Sequence, residues 1–214
     1  TTLFRSLFDK SSVLLRRARN GNLRGENGHP RFEPGMSKQA FLFRLMETLE
    51  TNIIVHISDV WIDEGSVTDR NGQPVIAIMG KVIPAGPFAF VLEKAFMNPK
   101  ENVNFSIRAI TDDFRDKTGQ VWRVLKEIYT WDYVNEPGIS VATKYNSPAL
   151  ENILDVNFGM EHLIMTRRMA IQAGVAMESD AMASIDRLMY KLGWRDENVQ
   201  TTATGLVLPP SMSW

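Results

Sequence analysis

The 214-residue chain contains no cysteine, which removes disulfides, thiolate nucleophiles and cysteine-held zinc from the available chemistry. Histidine is scarce as well, so a histidine-dependent mechanism has only His29, His56 and His162 to draw on. Charge of neither sign is in excess, with 24 lysines and arginines against 25 acids. Nucleic acid and acidic membrane surfaces are therefore not expected partners. No apolar run approaches the ~18 residues that span a bilayer, and no signal-peptide pattern opens the sequence. No phosphate-binding glycine loop is present, because KVIPAGPFAF lacks its lysine and spacing, and there is no GxSxG elbow. These absences leave the expectation of a soluble intracellular protein, 44% hydrophobic and long enough for one sizeable core.

What is present reads as strands followed by helices. An amphipathic segment, LFRSLFDKSSVLLRRARNG, precedes a polar stretch rich in Asn-Gly turns. Its Arg16, Arg17 and Arg19 either bind an acidic partner or form a solvated helix face. KQAFLFRLMETLE fits a short helix, NIIVHISDVWI a strand, and a turn at Asn71-Gly72 leads into a second strand, predicting a hairpin. About three helical turns follow in the segment PFAFVLEKAFM and stop before Pro99. VNFSIRAI and QVWRVLKEIYTWDYV then read as strands. Beyond Pro137 the pattern turns helical. Ser147 can cap a helix starting at Pro148, and SDAMASIDRLMYKLG places Met182, Ile185, Leu188, Met189 and Leu192 on one face with Gly193 as its stop. The tail, QTTATGLVLPPSMSW, reads as irregular.

VNFSIRAI carries the first chemical question. Phe105 and Ile107 alternate with Ser106 and Arg108, so a hydroxyl and a guanidinium share the face opposite the apolar one. Such a face is either a solvated edge or the floor of a site. His29 lies in a loop between Gly28 and Pro30, which constrains the backbone, and loops on rigid scaffolds often carry reactive side chains. His56 sits on a strand and His162 on an apolar helix, where structural roles are commoner. A metal centre would need all three histidines to converge from a loop, a strand and a distant helix. Neither a metal nor another cofactor is expected. Asp112-Asp113 and Asp63-Glu64 read as solvated turn residues. Asp132, flanked by bulky apolar residues at the end of a long strand, calls for a partner that justifies its burial.

Several short stretches, in order, resemble a known family: ENGHP, ISDVWI, GKVIPAGPFAFVLEKAF, FSIRAI and TWDYVNEPGISVA. Together they look like the prohead (procapsid) maturation proteases of large tailed phages, serine proteases related in fold to the herpesvirus assemblins. The resemblance runs from about residue 25 to residue 151. It implies an α+β fold with a small, mostly antiparallel β-barrel and peripheral helices over 25–151; with the C-terminal helices over 152–194 and the irregular tail over 195–214 that the sequence pattern gives, one protease domain is expected. The segment FLFRLMETLETN has no counterpart in that pattern, and the helical region beyond residue 151 is not covered.

The resemblance also implies roles. Its His-Pro motif falls on His29-Pro30, making His29 the general base, and its Ser-x-Arg motif falls on Ser106-Ile107-Arg108, making Ser106 the nucleophile. The third member, a histidine in the herpesvirus branch and an acid in phage members, falls on Asp132, with Asp59 of ISDVWI as the alternative. Arg108 or the amides around it would supply the oxyanion contact, unless Arg108 pairs structurally with an acid. The substrates would be phage head and scaffold proteins, cut inside an assembling prohead in the host cytoplasm; homo-oligomerisation is left open. The family's preference for cleavage after glutamate points to Glu178 as a self-cleavage site, although Glu178 also suits a position ahead of a helix N-terminus. The competing function is a noncatalytic head-assembly protein that keeps the fold. Hydrogen-bond reach between His29 and Ser106, and labelling by a serine-directed fluorophosphonate, separate the two.

Overall fold

A long antiparallel hairpin grows out of the apolar run that follows residue 52. In the computed structural model, which describes residues 8, 12–68, 72–119, 121–136, 158–177, 179–193 and the strand pairs 201–202 and 205–206, strand β2 (Ile53–Thr68) pairs with β3 (Pro74–Pro84) from Val55↔Pro84 to Thr68↔Pro74. The many β-branched valines and isoleucines suit both strands. Most of the expected turn lies outside the described residues, but Gly72 has the positive φ, 76°, that a tight return needs. A short strand β1 (Arg24–Glu26) completes this sheet in the order β1-β2-β3. A second antiparallel pair joins β4 (Asn104–Arg115) to β5 (Val121–Val134). The architecture is thus α+β with antiparallel sheets, and no closed barrel occurs among the described residues.

The chain divides into two compact units, 1–157 and 158–214. In the first, three helices accompany the strands: α1 (Val13–Arg19), α2 (Lys38–Met46) and α3 (Ala89–Met97). Ser37 caps α2 by accepting the Ala40 N–H at 3.1 Å, satisfying one of the free donors of its first turn. Arg17 and Arg19 of α1 turn back onto the carbonyls of Met46 and Leu15. The core gathers Leu14 and Leu23, Ile54 and Val55 of β2, Leu92 of α3 and Ile128 of β5. Phe105 and Ile107 pack against it. Ser106 and Arg108 therefore project from the other face of β4, and Arg108 is only 2% exposed. That face is not a solvated edge.

Contacts between β1 and β5 bring the two sheets together. Thr130 Oγ1 donates to the Arg24 carbonyl at 2.6 Å, and Asn27 bridges in parallel to Tyr133. Gly25 permits the approach: a Cβ there would stand 2.0 Å from the Trp131 carbonyl oxygen and 2.7 Å from Val55 Cγ1. Gly25→Ala should accordingly destabilise the protein by about 1–3 kcal/mol or more, the cost of overpacking against backbone. Urea unfolding of the variant checks this; wild-type stability would mean that β1 does not press on β5.

In the second unit, α4 (Met160–Gln172) and α5 (Asp180–Lys191) pack together, with Arg167 Nε donating to Asp186 Oδ1 at 2.7 Å. Ser179 caps α5, whose Met182, Ile185, Leu188 and Met189 are buried as their spacing predicts, while Leu192 is exposed. Of the helix expected from Pro148, the stretch through residue 157 lies outside the described residues. Phe158 and Gly159 are not helical, and α4 starts only at Met160 with the extended Gly159 as its N-cap, so one continuous helix from Pro148 is not what forms. The tail is not wholly irregular: Thr201–Thr202 and Gly205–Leu206 form a short antiparallel pair, which the β-branched threonines suit. Among the described residues no helix is long and apolar enough to cross a membrane.

Candidate active site

Asp132 lies at the centre of a buried polar cluster. It sits near the end of β5, 0% exposed, and its two oxygens accept four hydrogen bonds. Oδ1 takes the Glu26 N–H at 2.8 Å and Arg108 Nη2 at 2.6 Å; Oδ2 takes Arg108 Nε at 2.8 Å and pairs with His29 Nδ1 at 2.7 Å. A buried carboxylate costs too much to leave unpaired, and here its acceptor sites are filled.

Each contact traces to a local feature of the chain. A register shift between Gly25 and Glu26 in the β1–β2 ladder makes a bulge that frees the Glu26 N–H from β2 and turns it to Asp132. The next residues are pinned by Asn27 N–H on the Asn52 carbonyl at 2.9 Å and Gly28 N–H on the Tyr133 carbonyl at 2.7 Å. Gly28 adopts a φ of 86°, and the fixed ring of Pro30 follows His29. The imidazole is thereby delivered to Asp132 with its side chain 36% exposed. Nε2 is left for another partner.

Ser106 stands directly opposite Asp132 in the β4–β5 ladder, and Arg108 opposite Thr130. Side chains paired in this way share one face, with Cβ atoms about 4.5–5.5 Å apart. Ser106, Arg108, Asp132 and, through Asp132, His29 are thus brought to one place. Among the described residues Ser106 and His29 are not joined by a hydrogen bond. Such bonds commonly tighten only when substrate is bound. Asp59 lies elsewhere, exposed on β2 opposite Lys81. Neither His56 nor His162 joins the cluster: His56 pairs in register with Arg24 and Ile83, and His162 accepts the Gly159 N–H within α4's first turn. Glu178 lies outside the described residues. No group of three or more potential ligands that could hold a metal ion occurs among the described residues.

Arg108 is taken up by its surroundings. Besides its two hydrogen bonds to Asp132, Arg108 donates through Nη1 to the Glu47 carbonyl at 2.6 Å, and its Nη2 lies 3.1 Å from Glu26 Oε1. Burial disfavours its charge, but Asp132 and then Glu26 outweigh this and push the guanidinium's pKa up. The pairing with acids that the sequence left open is therefore the arrangement found. An oxyanion contact from Arg108 would have to break it.

Sequence reasoning missed Glu26 and Arg44. Glu26 reads as one polar residue in a turn-rich stretch, yet its side chain is 0% exposed. Its carboxylate accepts both Arg44 terminal nitrogens, the Leu49 N–H at 3.0 Å and Asn52 Nδ2 at 3.0 Å. Burial pushes its carboxyl up, but the hydrogen bond from Arg44, the charge of Arg108 and the bonds from Asn52 and Leu49 prevail and bring it from 4.5 to about 2. A folded-state value below the unfolded one means stabilisation that is complete above about 4.5 and is lost as pH falls toward about 2. The loss is on the order of 3 kcal/mol. Urea unfolding followed from about pH 6 down to about pH 2 should show Glu26→Gln losing less stability than wild type; parallel curves would mean the carboxyl is not held low.

Comparison with known proteins adds an independent line. A family model described as the Peptidase S80 family matches residues 1–188. The chain is 32% identical over 203 residues to the "Capsid maturation protease" of Pseudomonas phage phiKZ, an alignment covering 88% of this chain and 71% of that protein. No solved structure matches the chain.

Proposed function

The chain belongs to the Peptidase S80 family, and from that premise we propose that it is a serine endopeptidase of phage procapsid maturation. Its substrates would be head and scaffold proteins, cut inside the prohead in the host cytoplasm. The observation that carries this reading is the hydrogen bond from His29 to the buried carboxylate of Asp132, directly across the ladder from Ser106. The expected small barrel, like that of herpesvirus proteases, belongs to the same reading; the Asn27–Tyr133 bridge between the sheets supports it.

The chemistry follows from these roles. Ser106 Oγ attacks the scissile carbonyl carbon while His29 Nε2 takes the hydroxyl proton. Asp132 holds the Nδ1–H and so fixes the tautomer in which Nε2 is the free base. Collapse of the tetrahedral intermediate breaks the C–N bond, with the proton passing from His29 to the departing amine, and leaves an ester on Ser106. Water then attacks the ester, His29 takes its proton, and return of that proton to Ser106 Oγ releases the carboxylic acid. With Arg108 occupied, backbone amides near Ser106 are the better source of oxyanion donors.

Self-processing at Glu178, between α4 and α5, is part of the proposal, because proteases favour exposed connections over regular structure. Incubating wild type and Ser106→Ala with a head protein substrate and recording intact masses tests both parts. Substrate cleavage and a fragment ending at Glu178 should arise with wild type alone. Substrate cleavage without that fragment would remove Glu178 from the reading, and absence of any cleavage would remove the peptidase.

A further inference from the structure

We propose that Glu26 and Arg44 are positioning residues for the reaction, bracing Arg108 against Asp132 and so holding the imidazole of His29. The inference rests on the reading of Ser106, His29 and Asp132 as the catalytic group. It also assigns a purpose to FLFRLMETLETN, the segment that stands outside the resemblance to phage proteases.

The bracing is a chain of contacts across four elements. His29 leans on Asp132 of β5, which grips Arg108 of β4 through two nitrogens. Arg108 reaches Glu26 of β1 on one side and the Glu47 carbonyl just past α2 on another. Glu26 in turn is held by Arg44 of α2, the Leu49 N–H and Asn52. The segment thus supplies a guanidinium, a carbonyl, an amide and a side-chain amide to the rear of the site. A purely structural plug in a core would need only apolar side chains, and a buried ion pair is seldom a net source of stability. This network instead ends on the one residue that must be aimed.

Charge makes the role measurable. Behind His29 stand two carboxylates, Asp132 and Glu26, and two guanidiniums, Arg108 and Arg44. The Glu47 carboxyl lies close to this set; burial pushes its pKa up, Arg44 opposes this and Glu26 adds to it. Arg31 and Glu33 follow His29 on its own loop and are exposed. Removing the positive charge of Arg44 leaves Glu26 balanced by Arg108 alone, so the net charge behind His29 becomes more negative and favours the protonated imidazole. Removing the negative charge of Glu26 does the opposite.

The test is the rate at which a fluorophosphonate modifies Ser106, measured against probe concentration and pH in Arg44→Gln, Arg44→Lys and Glu26→Gln. Arg44→Gln should lower the maximal rate constant about tenfold while leaving the half-saturating probe concentration within about twofold, as expected for a misaimed base. Its acid limb should move to higher pH. Arg44→Lys should return that limb toward wild type, and Glu26→Gln should move it to lower pH. Arg44 is partly exposed on a helix, so its two variants decide the matter even if Glu26→Gln does not fold. An unchanged maximal rate and an unchanged acid limb in Arg44→Gln would overturn the inference. If Ser106→Ala still cleaves substrate, the underlying catalytic reading fails; if it does not, and the Arg44 variants behave as wild type, only the bracing fails.

Discussion

Ser106→Ala should lose proteolysis by on the order of a million-fold in turnover while keeping its fold. Ser106 is half-buried on the polar face of β4, and no hydrogen bond to the buried cluster depends on its hydroxyl. Removing one oxygen there empties the position opposite Asp132 without disturbing the charges around it. The apolar residues that hold β4 in place, Phe105 and Ile107, are on the other face. Unfolding curves of variant and wild type should therefore nearly coincide while turnover differs by orders of magnitude. Retained cleavage in the variant would remove Ser106 as nucleophile.

Asp132→Asn should behave differently, because the carboxylate bonds both His29 and Arg108. An amide at this position can present its NH2 to Nδ1 and so select the wrong imidazole tautomer, which lowers turnover by about 10,000-fold in comparable triads. It also withdraws a negative charge from Arg108, which is buried and bonded to both carboxylate oxygens. Breaking one partner of a buried pair costs about 3–5 kcal/mol. Glu26 remains beside Arg108 at 3.1 Å and softens that loss. Stability should fall by a few kcal/mol at most, and the folded variant should still be almost inactive. Sequence reasoning alone would anticipate the kinetic effect and miss the structural one. Full activity in folded Asp132→Asn would mean that another group orients His29.

The difference between those two variants marks where the sequence was legible. Alternation in FSIRAI placed Ser106 and Arg108 on one face, and the Asn71-Gly72 turn gave the β2–β3 hairpin, because both depend on neighbours in the chain. The apolar stripe of α5 was equally plain, with Ser179 and Gly193 marking its ends. Glu26 was not legible. Its burial depends on Arg44, 18 residues away, and on Arg108 beyond that, and nothing local distinguishes it from a solvated turn residue. The nearest signal was Arg44 itself, a guanidinium inside the apolar helix KQAFLFRLM. The bulge at Gly25–Glu26 was hidden too, because it arises from β1 meeting both β2 and Asp132. Arg108 was undecided between two roles because a linear pattern gives no count of the acids around a guanidinium.

The most direct test of the central claim is to label the protein with a serine-directed fluorophosphonate and map the adduct by peptide mass spectrometry. A probe of this kind reacts with a hydroxyl only when a neighbouring base activates it. The account predicts one modified residue, Ser106, in wild type and Asp59→Asn, with labelling lost in His29→Ala. An adduct on a different serine, or equal labelling of Ser106 after His29 is removed, would contradict it.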